Sequence, residues 1–261
     1  MQYRELGKTG MRVSLIGLGA VKFGRTEGLG YPVEPALPSM HALTELLAVA
    51  HDLGINLIDT APAYGVSEER LGELLAGRRK HWILCTKVGE TFESGRSRYD
   101  FSPEQTRNSV QRSLVRLRTD CLDVVLVHSD GSDIDIIENR GTLQALAQMK
   151  QEGLIRAFGM SHKTVGGGML ALDVCDVVMA TLSFDHRAEL AVIAHARERG
   201  CGVLIKKALA SGAAAHDPDR RRLSLEFVAH SPGVSSIVVG TTNAAHLRDN
   251  VAVLRDLPDS R

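Results

Sequence analysis

Eight short apolar runs are separated by segments of helical periodicity, and no long linker interrupts the series. The runs are SLIGLG (14–19), INLID (55–59), WILCTKV (82–88), DVVLVH (123–128), IRAFGMS (155–161), DVVMATL (176–182), GVLIKKAL (202–209) and SSIVVG (235–240). A strand with one wet face alternates apolar and polar residues. A run that is apolar throughout belongs in a parallel sheet covered on both faces. The intervening helices are signalled at their ends. Ala42, Leu43, Leu46, Leu47, Ala50 and Leu53 recur at helical spacing, and Gly54 stops that helix. Ser67 can cap the next one, with Glu68 and Glu69 in its first turn and Gly77 at its end. Ser102-Pro103-Glu104-Gln105 is a capping box with proline at the first helical position. GTLQALAQMKQEG and AELAVIAHARERG each finish at a glycine with basic residues nearby. Eight such units predict one (β/α)8 barrel domain over residues 1–261. The competing doubly wound sheet is expected to carry GxGxxG after its first strand, and GLGAVKFG lacks that spacing. YRELGKTGMRVSLIG reads as a β-hairpin ahead of the first barrel strand, placed to cover the barrel bottom.

Charge narrows the class of partner. Lysine plus arginine (31) equals aspartate plus glutamate (31), so no global field recruits nucleic acid or an anionic membrane. MQYRELGKTG has no apolar leader core, and no apolar run approaches the roughly 18 residues of a spanning helix. Cys85, Cys121, Cys175 and Cys201 are scattered without a CxxC pair, as expected of reduced thiols in a cytoplasmic protein. No cluster of residues has metal-ligand spacing.

Barrel chemistry sits at the C-terminal ends of the strands. Asp59 closes the second run, and Tyr64 follows on the loop beyond. Lys87 lies near the end of the third and His128 ends the fourth. Ser161-His162 end the fifth, Lys206 and Lys207 lie in the seventh, and Gly240-Thr241-Thr242 follow the eighth. Each has a bland reading: Asp59 as a strand terminator, Tyr64 as a loop aromatic, His128 as a hydrogen-bonded structural histidine. Lys87 resists one, because a lysine inside an apolar strand is costly unless paired. Together they form an acid–base set. A phenol has a pKa of about 10, and a nearby ammonium favours its ionised form. Asp59 would keep Lys87 charged, and His128 could donate to or orient a carbonyl. Such a set protonates a forming alkoxide and lacks a hydride donor.

With those residues in place, the chain resembles the aldo-keto reductases, as a short member. The resemblance is carried by LGKTGMRVSLIGLG, GINLIDTAPAYGVSEERLGELL, LCTKVGE, SVQRSLVRLRTDCLDVVLVHSD, KQEGLIRAFGMSHKT, GVLIKKALASG and SSIVVGTTNAAHLRDNVAVL, in order from residue 3 to about 255. It implies a barrel that binds a nicotinamide cofactor without a Rossmann domain and passes hydride to an aldehyde or ketone. It implies Tyr64 as general acid/base, Asp59 and Lys87 as its tuning pair, and His128 as carbonyl orienter. The cofactor residues it implies are Gly19, Ala20, Ser161, His162, Met179, Lys206, Lys207, Leu209, Gly240, Thr241, Thr242, His246 and Asn250. Several depart from the family pattern. His162 stands where an asparagine usually grips the carboxamide, so an imidazole is expected in its place. Met179 stands for a glutamine, and Lys206 for an aromatic that often stacks on the nicotinamide. Gly240 and His246 stand where a basic pair often holds the 2′-phosphate. Thr241, Thr242, Asn250 and the helix start after Asn243 remain to hold phosphate. NADP(H) is the expected cofactor, with NAD(H) the alternative.

The segment 28–38 reads as an active-face loop, residues 216–222 as a charge-rich solvated loop, and LPDSR as a short tail that leaves the pocket open. Two other functions fit the same residues: a cofactor-binding sensor barrel with little turnover, and a Schiff-base lyase using Lys87. The sequence does not indicate an oligomeric state.

Overall fold

The computed structural model describes residues 1–28, 36–209 and 217–255. Strands β1 (Tyr3–Glu5) and β2 (Arg12–Ser14) pair antiparallel as the expected hairpin. There follow β3 (Ile16–Gly19), α1 (Val21–Gly24), α2 (Met40–Asp52), β4 (Leu57–Asp59) and α3 (Ser67–Leu74). Next come β5 (Ile83–Val88), β6 (Glu90–Glu93), β7 (Arg96–Tyr99), α4 (Pro103–Arg116) and β8 (Leu122–His128). The chain continues through α5 (Asp133–Asn139), α6 (Thr142–Gln151), β9 (Ile155–Ser161), α7 (Val165–Ala171) and β10 (Val177–Thr181). It finishes with α8 (Leu190–Arg199), β11 (Gly202–Lys206), α9 (Pro218–His230), β12 (Ser236–Gly240) and α10 (Ala244–Arg255). Strands β3, β4, β5, β8, β9, β10, β11 and β12 close into one parallel barrel, β12 pairing back onto β3. This is the (β/α)8 architecture that the eight runs require.

Pleat alternation explains why those runs are apolar on both faces. Leu57, Cys85, Val124, Leu126, Ala157, Val177, Met179 and Leu204 share one buried cluster with Leu6, Met11 and Val13 of the hairpin. That cluster fills the barrel, and the hairpin closes its bottom. The alternate residues, such as Ile58, Leu84, Val125, Val178, Val203 and Ile237, join the larger cluster with the helices. Continuing the inward phase to the strand tips names the mouth: Gly19, Asp59, Lys87, His128, Ser161, Thr181, Lys206 and Gly240.

Three local expectations need correction. Ser67 does not cap α3; Val66 precedes the helix, and the Ser67 hydroxyl is buried, donating to the Ala20 carbonyl and paired with Thr60 Oγ1. Residues 217–222 are not a loop. Asp217 accepts hydrogen bonds from the Asp219 and Arg220 amides, and Pro218 begins α9, so the charges sit on a helix start. The β6–β7 hairpin lies where no element was expected. Other ends behave as read: Ser102 caps α4 through the Gln105 amide, with Pro103 first in the helix. Residues 29–35 of the active-face loop, His216 and the tail lie outside the described residues. No described helix is long and apolar enough to cross a membrane.

Candidate active site

Tyr64 reaches the mouth because its loop is pressed against α1. Pro62–Tyr64 form one tight helical turn, and Gly65 follows at φ +60°. A Cβ on Gly65 would lie 2.2 Å from the Gly24 carbonyl oxygen, and one on Gly24 would lie 2.1 Å from the Ser67 amide nitrogen. Only a glycine on each side permits this approach. The Ser67–Ala20 and Ser67–Thr60 hydrogen bonds then fix the loop to the tips of β3 and β4.

The predicted quartet comes together. Lys87 Nζ donates to Asp59 Oδ1 at 2.6 Å and to the Thr60 carbonyl at 2.9 Å, and both side chains are buried. The same Nζ lies 4.9 Å from the centre of the Tyr64 ring. The Tyr64 and His128 rings meet edge to face, with centroids 6.2 Å apart. Burial opposes the charge on Lys87, but Asp59, Tyr64 and Cys85 outweigh it and hold the ammonium above its ordinary range. Lys87 therefore remains charged at neutral pH. Tyr64 departs from expectation in sign. Burial raises it, the Lys87 charge only partly offsets this, and the phenol stands at about 12. The group is kept as an acid rather than as a phenolate.

The hairpin supplies a partner that sequence reasoning missed. Glu90 Oε2 lies 2.6 Å from His128 Nδ1, and its other oxygen accepts from Ser97 Oγ at 2.5 Å. Burial alone would raise the Glu90 carboxyl. The His128 contact and charge, the Ser97 hydroxyl and Arg25 overcome it and hold the carboxyl at about 2. His128 moves below its usual 6.5, through burial first, with the charges of Lys87 and Lys206 adding and Glu90 opposing. The available signal was the Ser94-Gly95 turn between two short stretches, ETFE and RSRY. Because the Glu90 carboxyl is depressed in the folded state, its contribution is complete above about pH 4.5 and is lost as pH falls from there toward 2. Glu90→Gln is expected to cost about 1–3 kcal/mol at neutral pH. The gap to wild type should narrow between pH 4.5 and 3 in urea unfolding curves; a gap constant across that range would remove the ionic role.

The expected cofactor residues fall in several different places. Gly19, Ser161, Lys206 and Gly240 lie on the mouth ring, Ala20 follows Gly19 directly, and Lys207 is exposed at φ +59°. Thr181 also belongs to the ring and was not anticipated; it pairs in register with Lys206. Met179 sits one layer deeper in the barrel interior, and Leu209 packs on the outer core. The His162 ring takes neither place. Its Nε2 is 2.6 Å from Glu189 Oε2, and it packs against Gly168 of α7, on the helical side. Only its carbonyl faces the mouth side, accepting from Lys206 Nζ at 2.7 Å. At the last strand, Thr241 Oγ1 accepts from the Asn243 amide, while Asn243 Oδ1 accepts from the Ala245 and His246 amides. Thr242 is half-buried, His246 is exposed, and Asn250 is buried with its Oδ1 unpartnered.

Comparison with known proteins agrees with this geometry. A crystal structure of a Pseudomonas aeruginosa protein assigned to the aldo-keto reductases superposes with a TM-score of 0.88 at 52% identity, covering 96% of this chain and 94% of that one. L-Galactose dehydrogenase of Arabidopsis thaliana is 28% identical over 98% of this chain and 89% of its own length. The NADH-specific methylglyoxal reductase of Escherichia coli is 30% identical over 81% and 68%. The sequence model of the aldo/keto reductase family matches residues 15–222. The chain thus belongs to the aldo/keto reductase family, whose members carry out NAD(P)H-dependent oxidoreduction of carbonyl compounds.

Proposed function

We propose that this chain interconverts a small aldehyde or ketone with its alcohol, with NADP(H) as cofactor and Tyr64 as the proton-donating group. The observation that carries the reading is the placement of Tyr64, protonated at neutral pH, between the charged Lys87 and the His128 ring at the barrel mouth. The bound nicotinamide supplies hydride. The chain's own residues do the rest: His128 orients the carbonyl oxygen, Tyr64 delivers its proton as negative charge develops, and Lys87 stabilises the phenolate left behind. Asp59 keeps that ammonium in place.

The residues suit a dinucleotide, though not with the usual groups. Asn250 offers a buried acceptor that no described residue uses. Gly240 leaves open space, since a Cβ there meets nothing nearer than the Gly19 carbonyl oxygen at 4.0 Å. At the start of α10 the Ala245 and His246 amides are held by Asn243 Oδ1, so a phosphate bound there would take the place of that cap. No lysine or arginine replaces Gly240 or His246, and Arg221 of α9 faces Asp249 at 3.8 Å. The relative named as NADH-specific supports NAD(H) as the second reading.

Neutral contacts of this kind contribute about 1–2 kcal/mol, so the preference for NADPH over NADH is expected to stay below roughly thirtyfold. His246→Arg should raise it. Fluorescence titration of the pure protein with each reduced cofactor, followed by turnover with a reactive aldehyde, tests the reading. Binding without turnover would favour the sensor function, and a preference above a thousandfold would place the phosphate elsewhere.

A further inference from the structure

Two lysines face the barrel mouth in opposite electrostatic situations. Lys87 is held by a buried carboxylate at 2.6 Å, so its nitrogen is an ammonium with no lone pair to offer. A Schiff-base role for Lys87 is poorly served by that arrangement. Lys206 differs. Its Nζ donates to Ser161 Oγ at 2.9 Å and to the His162 carbonyl at 2.7 Å, both neutral acceptors. Among the described residues, no carboxylate lies within 4.0 Å of it. A part-buried ammonium with only neutral partners bears its desolvation cost without a counter-charge.

The hydrogen-bond geometry accommodates the neutral form of this amine. An NH2 group has two N–H bonds, and Ser161 and His162 accept two. The lone pair is left over. Burial first, then the charges of Lys207 and Lys87, lower the amine to about 7, with Glu189 and Asp133 opposing. Lys206 is only partly exposed, and its charge is felt at His128, so it shares the mouth with the proton-transfer residues.

We propose that Lys206 is a nucleophilic amine that condenses reversibly with small aldehydes at the barrel mouth, a covalent capture site distinct from the reductase chemistry. The lone pair of Nζ attacks the carbonyl carbon, the C=O π bond opens, and the oxygen takes up a proton. The resulting carbinolamine loses its hydroxyl with one further proton as water, and a C=N bond forms. Nothing is oxidised or reduced. Ser161 Oγ, already bonded to Nζ, is placed to take the amine proton and return it to the departing oxygen. Aldehydes are favoured over ketones, because a second carbon on the carbonyl hinders attack from a partly buried nitrogen.

Reductive trapping on the full wild-type chain, without nicotinamide cofactor, tests this. At about pH 6.5, an amine with a pKa near 7 is roughly one quarter neutral, whereas an ordinary lysine is neutral at about one part in ten thousand. Propanal with limiting cyanoborohydride, followed by peptide mass spectrometry, should therefore propylate Lys206 at least roughly tenfold faster than the exposed Lys80 and Lys163. The preference should disappear in denaturing urea. Lys206→Arg, which retains a positive charge, should abolish the fast phase of incorporation. Labelling of Lys206 no faster than Lys80 in the folded protein overturns the proposal. Hydride transfer does not enter the readout, so that result would leave the reductase reading untouched.

Discussion

Tyr64→Phe is expected to fold, to bind cofactor as the wild type does, and to lose about a hundredfold or more in kcat. The substitution removes one oxygen and leaves the ring. The packing of that ring does not depend on the hydroxyl: Lys87 Nζ sits over its face at 4.9 Å, and His128 meets it edge to face. A phenylalanine satisfies both contacts. What disappears is the proposed proton donor, and that loss would fall on the transition state, where the oxygen of the carbonyl gains charge. The elevated phenol, at about 12, adds a pH expectation. Tyr64 should remain a competent acid across the neutral range, so wild-type reduction should show no loss attributable to its ionisation below about pH 9. Single-turnover measurements with a reactive aldehyde, made alongside cofactor titrations, check both. Retention of more than half the wild-type rate, with chemistry limiting, would remove Tyr64 from the proton-transfer step.

The barrel was legible because burial on two faces leaves a plain mark in sequence. IRAFGMS became β9 at its predicted bounds, and DVVLVH lost nothing to β8. The quartet was legible for a related reason. A charge at the tip of an apolar run, as at Asp59 and Lys87, has few explanations other than pairing with another such charge. The less visible features depend on side chains that share no strand with their partners. Glu90 reads as an ordinary polar residue until the β6–β7 hairpin carries it to His128, and a four-residue strand leaves little periodicity to detect. His162 was misjudged because its position after the strand tip says nothing about Glu189, which lies far along the chain and draws the ring to the helical side. Ser67 looked like a cap because hydroxyls before acidic residues usually are, but this one is spent on the Ala20 carbonyl. The sign of the Tyr64 shift could not be read at all, since it depends on how much burial outweighs one ammonium.

The Asp59–Lys87 pair should be more important to stability than any other ion pair among the described residues, and its two halves should not be separable. Side-chain exposure is 6% for Asp59 and 1% for Lys87, so neither can be rehydrated in place when its partner is removed. Lys87→Met leaves a carboxylate in the barrel without its counter-ion; Asp59→Asn leaves an ammonium held by the Thr60 carbonyl and a neutral amide. Each is expected to cost about 3–5 kcal/mol, because the penalty is that of an uncompensated buried charge. The double variant removes both charges and strands neither, so its loss should be smaller than that of either single variant. Unfolding by urea for the wild type and the three variants gives this cycle directly. Additive losses would mean that the two residues stabilise the barrel independently and that the 2.6 Å contact contributes little. Catalysis should not follow the same pattern. Lys87 is the group whose charge opposes the burial of Tyr64, so the double variant should recover stability while remaining as poor a catalyst as Lys87→Met. That separation distinguishes a pair retained for proton transfer from one retained only to hold the strands together.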